Sequence, residues 1–176
     1  MADDAGQSGM SQPGMSQSGI LPRVVRSWWA PAKVVSELRG MPDRVALVVL
    51  MAAMLITFIS QLPKHARDAA LDPSIPLQAR IGGALLAVMF IMPVLAYGLA
   101  SLVAALSRVT ARPVTAQNSR LALFWALLAV SPLMLLTGLT SGLVGPGPAL
   151  TLVQVLAGFA FLFIWGAGLR AVAGKS

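Results

Sequence analysis

The sequence predicts an all-α, polytopic membrane protein: four transmembrane helices preceded by a short amphipathic interfacial helix. Two observations carry this expectation. Hydrophobic residues make up 57% of the 176 and charged residues only 11%, whereas about a quarter of a soluble chain is charged. So few charges cannot cover a water-soluble domain, and a bilayer removes the need. The second observation is four long apolar runs, 45–62, 81–106, 121–143 and 149–169, none of which holds an Asp, Glu, Lys, Arg or His. At about 1.5 Å of rise per residue, a hydrocarbon core of about 30 Å takes roughly 20 helical residues. Lipid offers no partner to free backbone groups, so these runs must be helices; strands would alternate polar with apolar residues.

In chain order, residues 1–20 are rich in Ser, Gly and Gln, with Gly-Met-Ser-Gln occurring twice. No apolar periodicity repays the entropy of ordering them, which predicts a disordered tail. A basic start followed by an apolar stretch is missing there, so a cleavable signal peptide is not expected. Residues 21–41 form an amphipathic membrane-surface segment. At 100° per residue, Val24, Trp28, Ala32, Val35 and Leu38 share one side, while Arg23, Arg26, Lys33 and Glu37 share the other. Pro31 interrupts the pattern, which places the helical part from Pro31 to Arg39, with Gly40 ending it. Tryptophans at the apolar edge and cations opposite suit a helix in the headgroup plane, anchored by Arg23, Arg26, Trp28, Trp29 and Lys33. The alternative is a helix tucked against the cytoplasmic ends of the bundle.

The bundle itself occupies 42–172. Pro42, Pro76 and Pro148 each stand just before an apolar run, where a first-turn proline loses no hydrogen bond. Gly145-Pro146-Gly147-Pro148 makes a tight uncharged turn. Pro93 and Pro132 lie near the middle of their spans and predict helix kinks, with neighbours covering the freed carbonyl. Two series of small residues predict close helix packing: Ala96, Ala100 and Ala104 at every fourth position, and the pair Gly138 and Gly142.

Charge gives orientation. Five Lys and Arg precede the first run, three follow it, three lie between the second and third runs, and two follow the fourth. With the N-terminus inside, ten of these face the cytoplasm and three do not, a positive-inside bias that predicts both termini to be cytoplasmic. Trp125 and Trp165 fall at the same interface in this arrangement. The net charge of +7 is therefore topology signal and attraction to anionic lipid, not a nucleic-acid face.

Chemistry-bearing residues are few. There is no cysteine and a single histidine, His65, which rules out disulfides and His or Cys metal clusters. His65 has cations for neighbours and Asp68 as the one acid close by, an environment that reads as a solvated loop. Gln154, the most polar side chain well inside a span, reads as a bond between helices or to backbone. No catalytic, cofactor-binding or metal-binding residue is expected.

The lead-in Arg26-Ser-Trp-Trp-Ala-Pro-Ala-Lys-Val-Val-Ser-Glu-Leu-Arg-Gly-Met-Pro42 is followed by a first span ending in Gln61-Leu62-Pro63. Asp72-Pro-Ser-Ile-Pro-Leu-Gln-Ala-Arg80 then leads into the second, and the middle spans are proline-broken. In these features the chain resembles the YIP1 family of small multi-spanning membrane proteins, in its compact bacterial form. The family's acidic-Leu-Tyr-Gly-Pro motif is not here, and four spans stand where the family usually has five. The resemblance implies a bacterial inner-membrane protein without catalysis. The expectation is a non-enzymatic protein that organises or docks onto other membrane components. Its partners would be the lipid bilayer, another membrane protein or a second copy of itself, and it would carry no cofactor. A small transporter or channel subunit using the proline-broken middle spans is the alternative.

Overall fold

The structure is a computed structural model that describes residues 20–38, 42–110 and 113–173. The expected tail over 1–19, the helix stop at Arg39 and Gly40, and the cations Arg112 and Lys175 lie outside the described residues. Among the described residues the chain is helical, with no strand. Two short helices, α1 (Ile20–Arg26) and α2 (Pro31–Glu37), precede α3 (Asp43–Leu71). Next come α4 (Leu77–Leu86), a π-helical turn over Ala87–Ile91, and α5 (Met92–Ser107), which together make one span. The chain closes with α6 (Ala116–Leu143) and α7 (Pro148–Val172). Four of these helical stretches are long and apolar enough to cross a membrane; this is a multi-pass membrane protein.

At the centre is α6, against which α3, α5 and α7 all pack. In its N-terminal half it is buried on every side: Leu121, Ala122, Leu123, Phe124, Trp125 and Ala126 are all inside. The outer helices do the reverse of a soluble protein. They turn Leu55, Phe90, Val94, Leu152, Phe159 and Phe163 outward, where lipid tails rather than water meet them.

Small residues set the helix spacing. A Cβ built on Gly138 would fall on the backbone carbonyl of Ser60, and one on Gly142 would come 2.7 Å from the Pro63 carbonyl carbon. On the other side of α6, Ala96, Ala100 and Ala104 form the buried face of α5. There the Ser119 hydroxyl donates to the Ala100 carbonyl at 2.7 Å, a bond that only a bare backbone face allows. With lipid outside, such contacts are held by dispersion and hydrogen bonds rather than by water exclusion.

The elements differ from the sequence reading in three places. First, α3 does not stop near Leu62 but continues through Pro63 to Leu71, so His65 lies on a helix and not in a loop. An i,i+4 pair, Lys64 with Asp68 at 2.6 Å, and an alanine-rich turn sustain the helix beyond the apolar run. Second, the lead-in is two helices, since the chain is already helical from Ile20 and Pro31 opens α2 as a first-turn proline. Third, the two central prolines behave differently. Pro93 follows the π turn, which contains Met89, the residue whose carbonyl the proline ring would otherwise strike. Pro132 is accommodated inside an uninterrupted α6.

Candidate functional site

The lead-in is built into the bundle. Val34 and Val35 of α2 and Leu38, its C-cap, are buried in one cluster with Val24 of α1, Leu121, Ala122, Trp125 and Leu128 of α6, and Val172 of α7. Gly168 makes the seat for α2: a Cβ there would stand 3.3 Å from the Val35 methyl. The apolar side assigned from the sequence to the headgroup plane is therefore occupied by protein. This is the packing against the bundle that the alternative reading expected. The face is also shifted, with Val34 inside and Ala32 outside, because Pro31 restarts the helix and resets its phase.

The turn between α1 and α2 carries two hydrogen bonds that fix it. The Trp125 indole N–H donates to the Ser27 hydroxyl at 2.8 Å, and that hydroxyl donates to the Arg23 carbonyl at 2.8 Å. The Trp28 indole N–H donates to the Ala129 carbonyl at 3.2 Å. Ala129 lies three residues before Pro132, in the turn that a proline ring crowds, so an indole from a distant segment serves the backbone there. Ala129 is midway along α6, about 12 Å beyond Leu121 at helical rise. From that level α2 climbs alongside α7, reaching Gly168 at Val35 and Val172 near its end. Below Trp28 the groove between α6 and α7 continues as an apolar hollow of about 380 Å³ lined by Leu133, Leu156, Ala160 and Phe163.

The outward face of this hairpin combines apolar and charged groups. Trp29 is 87% exposed and Val25 63%. Arg26 pairs with Glu37 at 3.3 Å with both side chains largely in the open, a contact worth little by itself. Lys33 is exposed on the same element. The structure thus separates the five residues grouped from the sequence. Trp28, still 36% exposed, is tied to α6 through its indole N–H, while Arg23, Arg26, Trp29 and Lys33 belong to the outer surface or its edge. Ser27 was not legible as a functional position, since a serine between an arginine and a tryptophan carries no signal of its partner 98 residues away.

Arg120, at the same end of the bundle, ties three helices. Its guanidinium reaches Asp43 of α3 at 3.4 Å and lies 5.8 Å from the centre of the Tyr97 ring on α5, a cation–π contact. At the opposite end Arg67 donates to the carbonyls of Gly142 and Leu143 at 3.2 and 3.4 Å. It caps the C-terminus of α6, where the helix dipole favours a cation. Beside it the turn requires Gly145, whose φ of +89° only glycine adopts readily. In the α3–α4 connection, Asp72 accepts from the Ser74 hydroxyl at 2.6 Å and the Ser74 amide at 3.1 Å. These bonds, with Arg80 beyond them, hold its carboxyl below the usual range.

No group of His, Cys, Asp and Glu that could hold a metal occurs among the described residues. No family model, curated protein or solved structure matches this chain.

Proposed function

We propose that the protein is a non-enzymatic scaffold of a bacterial inner membrane, with both termini cytoplasmic, that docks other membrane components through its N-terminal hairpin. The observation that carries this reading is the way the hairpin is held. Buried Val34, Val35 and Leu38 and the Trp28–Ala129 bond fix it to α6 and α7, while Trp29 and Val25 project outward beside Arg23, Arg26 and Lys33. A pre-ordered apolar patch rimmed by cations binds a partner or an anionic leaflet at low entropic cost. The ten-to-three partition of Lys and Arg supports the orientation. The YIP1-like lead-in and proline-broken spans point the same way, toward a membrane organiser without catalysis.

The test is purification of the full chain in mild detergent with identification of stoichiometric companions, a second copy included, for wild type and for Val25→Ser with Trp29→Ala. The reading expects a companion that the double variant loses while its melting temperature holds. Solute uptake by reconstituted protein, with no companion and no effect of the variant, would favour the transporter reading instead.

A further inference from the structure

A second cleft, carrying polar side chains in largely apolar walls and separate from the hairpin, lies at the opposite end of the bundle between α3, α6 and α7. It encloses about 190 Å³, and its walls include Thr57, Ser60, Gln61, Lys64, Ser141 and Gln154. The four hydroxyls that line it are already committed as donors within their own helices, Thr57 to the Ala53 carbonyl at 2.8 Å, Ser60 to Thr57 at 2.7 Å, Thr137 to Leu133 at 2.8 Å and Ser141 to Gly138 at 2.9 Å. The donors left for anything entering are the two glutamine amides and the lysine. Neither amide makes a hydrogen bond among the described residues, and Lys64 uses one of its three N–H groups on Asp68.

Gln154 sits on α7 less than two turns after Pro148, about 9 Å below the helix start. It does not bridge helices, as its sequence context suggested, but is exposed at the mouth of the cleft. The backbones of α3 and α7 each pack on α6 without meeting one another among the described residues, so the cleft opens sideways to lipid. Beneath it α6 and α7 close on Ala126, Ala129, Val130, Ala157 and Ile164, all buried, so no polar passage continues inward. Hydrocarbon gives an amide no partner. The molecule that does reach this depth from the side, with acceptors in its ester and phosphate groups, is a phospholipid. Its ester carbonyls lie just below the interface and its phosphate at it.

We propose that this cleft binds a glycerophospholipid of the adjoining leaflet, its phosphate at Lys64 and its ester carbonyls at the Gln61 and Gln154 amides. The experiment is native mass spectrometry of the full chain with an ester-linked phosphatidylglycerol, its ether-linked analogue, and glycerol 3-phosphate. Wild type is expected to hold one ester-linked lipid after bulk lipid is stripped. The ether analogue should bind about fivefold more weakly for each amide–ester bond lost, and Gln61→Leu with Gln154→Leu should abolish that preference. Equal binding of the ester and ether lipids by wild type would overturn the proposal, and this arm needs no variant to fold. Displacement of the lipid by millimolar glycerol 3-phosphate would also overturn it, making the cleft a site for a free phosphate ester.

Discussion

Gly138 and Gly142 show how a single hydrogen in place of a side chain sets the distance between two helices. Their spacing was readable as a packing signal, but not the partner: Ser60 and Pro63 of α3 approach so closely that even a methyl group meets backbone. Gly138→Ala and Gly142→Ala should therefore each destabilise the protein in detergent by about 1–3 kcal/mol despite alanine's better helix propensity. Gly98→Ala, where a Cβ meets nothing within 4 Å, should be neutral or slightly stabilising. Equal melting of all three variants would mean the groove between α3 and α6 is not close-packed. Ser27→Ala leaves the buried Trp125 N–H without its acceptor and should cost about 1–3 kcal/mol, read by the same melt. Asp72 gives a pH effect with a defined sign. Because its carboxyl is held below the ordinary value, its bonds to Ser74 are intact above the usual carboxylate range and are lost as pH falls through the lowered value. A fall in the Ser74 amide's protection relative to its intrinsic exchange rate on acidification checks this; pH-independent protection would contradict it.

At the scale of elements, the four apolar runs were legible because lipid imposes length and excludes charge, constraints that leave a direct mark on sequence. Their ends were less so. The continuation of α3 to Leu71 depends on Lys64, Asp68 and the Arg67 bonds to α6, which are tertiary or local polar contacts that apolar counting does not register. The lead-in shows the same limit more sharply. Val24, Trp28, Val35 and Leu38 form an apolar stripe whether a helix lies on lipid or on protein, so periodicity left both open, and Gly168 on a helix over 130 residues later supplies the seat. Gly168→Leu should lift α2 from α7. In single-tryptophan chains, Trp28 should be shielded from aqueous iodide in wild type and become accessible in that variant, while Trp29 stays accessible in both. Unchanged shielding of Trp28 in Gly168→Leu would remove Gly168 as the seat.

At the scale of the whole molecule, the arrangement is a central α6 wrapped by three spans and bolted at one end by the N-terminal hairpin. The candidate site emerges from that arrangement rather than from any motif. Trp28 and Trp29 are adjacent identical letters, yet one bonds the middle of α6 and the other faces outward. The cleft was hidden for a similar reason, since Gln61 and Gln154 come from the first and last spans. The central claim is that residues of the lead-in form part of the transmembrane bundle, and the absence of native cysteine allows it to be tested by disulfide formation in intact membranes. Val35→Cys combined with Gly168→Cys sets two thiols where a Cβ on Gly168 would stand 3.3 Å from a Val35 methyl, close enough for a disulfide to form. Val25→Cys with Gly168→Cys starts from an outward-facing residue and serves as control. The account predicts rapid oxidation to an internally cross-linked chain for the first pair and little for the second; equal, slow cross-linking of both pairs would contradict it and return the segment to the lipid surface.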